Sequence, residues 1–312
     1  MQNKVSLLTS FLLLAGAVLL FGQGTPPQSD RGQRGGRGGG PGGGARGATP
    51  VAYDDYAGFT TLWDGQTLKG WDGETDVWSI DNGAIHADTT KTPGQHHIFY
   101  KGPGAIMKDF DLKVEMRMSE KGANGGIQYR SRLLHPAHGG SIDNPMGKAL
   151  PPGITTLQAA IAAGITAVPP PSADGRGDRG APNPWQVSGY QFDMDSNNNY
   201  TGGLYEGQGR GIVNLPGGIA ELLPGRTNAR IATVTDNPAQ FVKPHKGLDG
   251  EWNQFEIIAR GNTLTHIVNG HVITVTIDDN PQDRAAQGIL SLQLEGNGQI
   301  WYRNVYVKHF EK

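Results

Sequence analysis

Three short segments carry polar side chains with planar hydrogen-bonding ends at every second position. Gln128, Arg130 and Arg132 alternate with Ile127 and Tyr129; Gln191, Asp193 and Asp195 alternate with Tyr190, Phe192 and Met194; Ser291, Gln293 and Glu295 alternate with Leu290, Leu292 and Leu294. Successive side chains of an extended chain point to opposite faces, so each segment reads as a strand that buries its apolar set and presents its polar set. Amides, guanidinium groups and carboxylates hold donors and acceptors in fixed pairs, which suits the paired hydroxyls of a sugar. Trp185 precedes the second segment and Tyr200 and Tyr205 follow it, adding flat apolar faces on which a sugar ring can stack. A few placed polar groups between apolar walls is the composition of a binding face. The plain alternative is a solvated sheet face, but Lys, Ser and Thr, the usual residues there, are scarce in these segments.

Ordinary two-carboxylate glycoside hydrolysis fits less well. Retaining enzymes hold their carboxyl groups about 5–5.5 Å apart and inverting ones about 6.5–9.5 Å. Asp193 and Asp195 would stand roughly 6.8 Å apart along a strand, as any pair at that spacing does. Sandwich-fold retaining glucanases carry a Glu-x-Asp-x-x-Glu strand, and here Gln191 holds the first position, where an amide cannot act as nucleophile. The nine histidines show no His-x-His or His-Glu-x-x-His spacing, and the adjacent His96 and His97 must point to opposite faces. They read as surface or capping residues. Asn197, Asn198 and Asn199 with Asp193 and Asp195 supply oxygen donors of a kind that calcium accepts, without an EF-hand Gly or Glu. No metal or other cofactor is required by the sequence. With no cysteine, thiol nucleophiles, disulfides and Cys-ligated zinc are excluded.

The elements that must position these residues are strands. Phe110, Leu112, Val114, Met116 and Met118 alternate strictly with Asp111, Lys113, Glu115 and Arg117. Asn82-Gly83 and Asn269-Gly270 sit between such runs and predict two-residue type I′ hairpins. Alternation resumes in Ile289–Glu295 and Ile300–Lys308. Many short strands with almost no helical periodicity predict an all-β antiparallel sandwich, folded from about Tyr53 to Lys312. Residues 135–184 break the pattern and read as a long loop insertion.

The N-terminus has the three parts of a signal peptide: Lys4, the apolar run Leu12–Phe21, and Gly22-Gln23-Gly24 for cleavage after Gly24. This places the protein in the periplasm or outside the cell, with no stable membrane insertion once the leader is removed. Residues 25–52 are rich in Gly, Arg and Pro and too poor in apolar groups to fold, which predicts a disordered linker. Lys+Arg is 27 against Asp+Glu 29, a balance that argues against nucleic acid as a partner.

Taken together, the motifs resemble the 3-keto-disaccharide hydrolase family. Phe59-Thr-Thr-Leu-Trp-Asp-Gly-Gln-Thr-Leu-Lys-Gly-Trp71 resembles its opening, and Gly125-Gly-Ile-Gln-Tyr-Arg-Ser-Arg132 one of its strands. Gly189-Tyr-Gln-Phe-Asp-Met-Asp195 with Gly203-Leu-Tyr-Glu206 and Gly209-Arg-Gly211 resembles its central motif. Gly250-Glu-Trp-Asn253 and Gly288-Ile-Leu-Ser-Leu-Gln293 resemble its C-terminal half. The resemblance implies a concanavalin A-like jelly roll and a carbohydrate substrate already oxidised to a ketone at carbon 3. It implies proton abstraction at carbon 2, elimination of the aglycone and addition of water. By position it assigns Asp193 as base, Arg130 and Gln128 to the ketone or enolate oxygen, and Glu206 as leaving-group acid. Gln191, Arg210, Trp185, Tyr205, Gln293 and Glu295 become substrate contacts. Many members have His where this chain has Glu295, which keeps a non-catalytic, lectin-like carbohydrate-binding domain as the alternative. N-terminal sequencing of the exported protein is expected to begin at Thr25; an intact Met1 on the exported chain would overturn the signal-peptide assignment.

Overall fold

A computed structural model describes residues 52–133, 185–225 and 229–310. The expected leader, the expected linker apart from residue 52, and the whole of the 135–184 insertion lie outside these residues. Pro50–Lys312 forms one compact unit.

The strands are, in chain order, β1 (Thr60–Thr61), β2 (Trp71–Gly73), β3 (Trp78–Asp81), β4 (Ala84–Asp88), β5 (Gly94–Tyr100), β6 (Phe110–Met118), β7 (Ala123–Leu133) and β8 (Val187–Asp195). They continue with β9 (Leu204–Gly207), β10 (Gly211–Asn214), β11 (Gly218–Leu222), β12 (Ala229–Thr233), β13 (Asn253–Arg260), β14 (Thr263–Val268), β15 (His271–Asp278), β16 (Ile289–Gly296) and β17 (Gln299–His309). They form two sheets. The larger runs β12-β11-β15-β14-β13-β6-β17-β4-β3, with β1 also on β17; the smaller runs β10-β9-β8-β7-β16-β5-β2. All pairings are antiparallel except β11 with β15. The expected all-β sandwich is therefore the observed fold, and no helix among the described residues is long and apolar enough to cross a membrane.

Alternation builds the core as expected. Phe110, Leu112, Val114, Met116 and Met118 are all fully buried from the larger sheet, against Ile127, Tyr129, Tyr190, Phe192 and Met194 from the smaller. Phe192 stacks on His266 with centroids 4.1 Å apart and meets Phe255 edge-on at 5.2 Å. His266 donates from Nδ1 to the Gly202 carbonyl at 3.2 Å, so its Nε2 accepts from the Tyr129 hydroxyl at 2.9 Å. Burial holds this imidazole neutral, with its pKa down to about 4. The two sheets are thus joined by apolar packing and by satisfied polar links, of which the one through His266 is an example.

Both predicted hairpins form as read. Asn82 and Gly83 have φ of 47° and 69°, and Asn269 and Gly270 have 48° and 81°, the positive pair that a type I′ turn demands.

Phe192→Ala should remove about 3–5 kcal/mol of stability, because it opens a cavity between His266 and Phe255 that neither ring can fill. Equilibrium denaturation measures this, and a loss under 1 kcal/mol would show that the sheets do not depend on this contact.

Candidate functional site

β8 lies third in the smaller sheet, with β7 on one side and β9 on the other. The β-sheet register sets which polar groups are neighbours. One row across the sheet is His97, Gln293, Gly126 and Asp193, from β5, β16, β7 and β8. The next is Phe99, Ser291, Gln128, Gln191 and Tyr205, which reaches β9. A third holds Gln95, Glu295, Asn124 and Asp195. Gln128, Gln191, Asp193, Tyr205, Gln293 and Glu295 therefore share one face, opposite to the core. Trp185 joins them at its edge, packed on Phe99 with centroids 6.0 Å apart.

These groups form a directed chain of hydrogen bonds. Gln191 Nε2 donates to the Gly125 carbonyl at 3.3 Å and to Asp193 Oδ1 at 3.2 Å. Gln191 Oε1 then accepts from Gln128 Nε2 at 3.0 Å, and Gln128 Nε2 also lies 3.1 Å from His97 Nε2. Gly126 makes room for this chain: a Cβ there would stand 2.5 Å from Gln191 Cγ. Asp193 is 9% exposed and has amides rather than cations around it. Burial pushes its pKa up to about 7; a hydrogen bond from the Met194 amide opposes this, and the charge of Asp195 adds to it. Burial also raises Glu295 on the same face.

Asp193 lines a shallow surface hollow together with Tyr200, Tyr205, Ile212, Asn214 and Leu215. Tyr200, Ile212 and Leu215 are exposed. One side of the carboxyl group is thus apolar and open, and the other is a floor of amides and one imidazole.

Three assigned residues lie elsewhere, so the expected convergence of Gln128, Arg130, Asp193 and Glu206 does not occur. A β-bulge interrupts β7 between Tyr129 and Arg132, with Arg130 at φ 47°. The bulge turns the Arg130 guanidinium to the end of the sandwich, where it binds the carbonyls of Lys108 and Gly261 at 2.7 and 2.8 Å and Asp109 Oδ1 at 3.2 Å. Glu206 pairs with Tyr190, not Gln191, and so faces the core side. There Arg210 bridges Glu206 and Asp278 at 2.5 and 2.6 Å, and the Tyr190 hydroxyl also donates to Asp278. Asp278 belongs to β15, so this cluster ties the two sheets together rather than meeting a substrate.

The candidate calcium donors are likewise engaged within the fold. Asp195 accepts from the Asn199 and Tyr200 amides at 3.2 and 3.4 Å, and Asn198 Oδ1 accepts from His245. Among the described residues no three His, Asp or Glu side chains gather where a metal could be held.

Sequence reasoning missed His97. It correctly set His96 and His97 on opposite faces, yet only the pairing of β5 with β16 reveals that His97 stands beside Gln293. Ile212, Asn214 and Leu215 were missed too, because nothing local marks β10 as part of the site.

The sequence model of a family described as 3-keto-alpha-glucoside-1,2-lyase-like domain matches residues 58–308. No curated protein sequence matches the chain. A candidate glycosyl hydrolase from Parabacteroides distasonis ATCC 8503 is similar at 16% identity and a TM-score of 0.43, over 81% of this chain and 99% of that one. A Bacillus subtilis protein of unknown function with a galectin-like fold is similar at 11% identity and a TM-score of 0.45, over 78% and 90%. A carbohydrate-binding module from Bacillus subtilis has 11% identity and a TM-score of 0.37, over 80% and 95%. Likenesses this distant carry no weight for the chemistry.

Arg210→Ala leaves two carboxylates buried without their cation and should cost about 3–5 kcal/mol. Chemical denaturation of the variant tests this; a loss below 1 kcal/mol would show that the cluster does not hold the sheets.

Proposed function

Since the chain belongs to the 3-keto-alpha-glucoside-1,2-lyase-like family, we propose that it cleaves glycosides oxidised to a ketone at carbon 3, with Asp193 as the base. The observation that carries this is the setting of Asp193: a buried carboxyl among amides, next to an open hollow with tyrosine walls. A pKa of about 7 makes the carboxylate a competent base at neutral pH.

The ketone acidifies the proton at carbon 2. Asp193 removes it, and the electron pair of that bond moves to the ketone oxygen as an enolate. Gln293 lies across the Gly126 gap from Asp193, and its amide nitrogen has no protein partner among the described residues, so it is our choice of donor to that oxygen. The enolate collapses to form the carbon 1–carbon 2 double bond and expels the aglycone oxygen, which takes up a proton. Glu295, raised by burial on the same face, is the proposed source of that proton in place of Glu206. Water added across the double bond completes a net hydrolysis. Export ahead of the linker would bring this chemistry to sugars outside the cytoplasm.

Asp193→Asn should abolish release of the aglycone from an aryl 3-keto-glucoside. Wild-type kcat/KM should trace a bell in pH, rising as Asp193 ionises toward about 7 and falling as Glu295 loses the proton it donates. Stability has the opposite sign. A carboxyl whose folded pKa lies above its unfolded value favours the fold at low pH, and this contribution is lost as pH rises from about 4 through 7. Asp193→Asn should therefore raise Tm relative to wild type at pH 8 but not at pH 4. An active Asp193→Asn variant would exclude Asp193 as base. Tight binding of unoxidised glycans by a wild type that turns over no keto-sugar would favour the lectin-like alternative.

A further inference from the structure

The hollow beside Asp193 differs in chemistry from the amide floor on the carboxyl group's other side. It carries Tyr200, Ile212 and Leu215, three of the eight large apolar side chains that stand exposed among the described residues. Large apolar groups gathered on an open surface mark a contact. A β-bulge gathers two of them. Tyr205 pairs with Ile212 and Leu204 with Asn214, so Val213 is the extra residue of β10. Val213 and Asn214 are both buried, which leaves Ile212 and Leu215, three positions apart, on the outer face. Tyr200 is held beside them: its amide donates to Asp195, and its carbonyl accepts from the Gly203 amide at 2.8 Å. Gly203 in turn accepts from the Asp193 amide at 3.1 Å. A Cβ on Gly203 would stand 3.1 Å from Pro216 Cδ, which also lines the hollow, so any side chain there would crowd it. The hollow has little to offer a hydroxyl group. The Asn214 amide nitrogen donates to the Val275 carbonyl and to Thr276 Oγ1, both at 3.0 Å, and neither of these residues lines the hollow. Apart from Asp193 and this engaged amide, tyrosine hydroxyls are the only polar ends among the lining side chains.

We infer that this hollow takes the aglycone, and that it selects an apolar ring over a second sugar. The aglycone is joined to carbon 1, the neighbour of the carbon whose proton Asp193 removes, so it lies close to one side or the other of this carboxyl group. The oxidised ring has hydroxyls to satisfy and fits the amide side, which leaves the hollow for the aglycone. Tyr200 and Tyr205 can stack on a sugar face or on an apolar ring alike. Ile212 and Leu215 decide between them. Their branched aliphatic ends form no hydrogen bonds, so a hydroxylated ring pressed on them gives up water without replacement. An apolar ring gains by the same burial. The inference rests on the proposed reaction and names the class of its leaving group, the alcohol of an apolar, ring-bearing aglycone. Ile212 and Leu215 are its specificity residues.

A set of 3-keto-glucosides in one anomeric form tests this, with methanol, cyclohexanol, and glucose through its 4-hydroxyl as the leaving alcohols. Cyclohexyl and glucosyl are rings of like size that differ in their hydroxyls, and methyl has no ring to place in the hollow. Wild type should cleave the cyclohexyl glycoside with a kcat/KM about 10-fold above that for the glucosyl one. Ile212→Ser and Leu215→Ser, with Tm and circular dichroism to check folding, should each lower kcat/KM about 10-fold on the cyclohexyl glycoside, mainly through KM, and far less on the methyl one. The inference is overturned if wild type prefers the glucosyl glycoside or treats the two rings alike, or if each substitution costs the same on the methyl and cyclohexyl glycosides. It is also overturned if the variants sediment as a smaller species than wild type and keep its preference, which would make the patch a contact between copies of the chain. If wild type cleaves no keto-glucoside, the proposed reaction fails on its own. Calorimetry of unoxidised cyclohexyl glucoside and of maltose then decides the hollow: tighter binding of the cyclohexyl glucoside that Leu215→Ser removes sustains an apolar subsite, and equal binding of the two, or none, ends it.

Discussion

The register of β8 against β7 is the constraint on which the rest depends. Gln128 stands opposite Gln191, Ile127 opposite Phe192 and Gly126 opposite Asp193. A slip of one residue would turn Phe192 outward and bring Asp193 into the core, because the side-chain period of a strand is two. The aromatic seam with His266 and Phe255 holds the register from the inner side. On the outer side the Gln128–Gln191 hydrogen bond holds it again. The same pairing therefore stabilises the sandwich and aligns the candidate site.

Asp193 and the Glu206–Asp278 pair are resolved in opposite ways. Glu206 and Asp278 share Arg210 between them, and the Tyr190 hydroxyl donates to Asp278. Asp193 has only amide donors, from Gln191 and the Met194 backbone, and burial raises it into the range where it can exchange a proton. The distinction lies in the neighbours, since all three residues are carboxylic acids and all three are buried.

Much of the fold was legible because its signals are local. Strict alternation identified β6, β8 and β16, and Asn-Gly pairs identified two hairpins whose backbone angles are those the residues prefer. The same alternation set Gln128, Gln191, Asp193, Asp195, Ser291, Gln293 and Glu295 opposite the buried apolar residues of their strands, whereas Trp185 and Tyr205 were singled out by their nearness in sequence. Arg130 escaped because a bulge reverses the parity of β7 beyond Tyr129, and the apolar and polar residues there keep alternating in sequence as though it did not. Glu206 escaped because its face is set by pairing with Tyr190. The Gly125-Gly126 pair was the one local hint: glycine inside a strand marks a close approach, and here Gln191 lies across it.

By itself, then, the sequence determined the class of fold, the places where the chain turns, and the inward and outward faces of each regular strand. These follow from backbone sterics and a two-residue pleat, which act over a few positions. Tertiary structure alone decided which outward residues meet. It put His97 beside Gln293 across β5 and β16, far apart in the chain, and it moved Arg130 and Glu206 away from Asp193. Strand pairing and bulges depend on contacts between distant segments, and no run of residues read in isolation contains them.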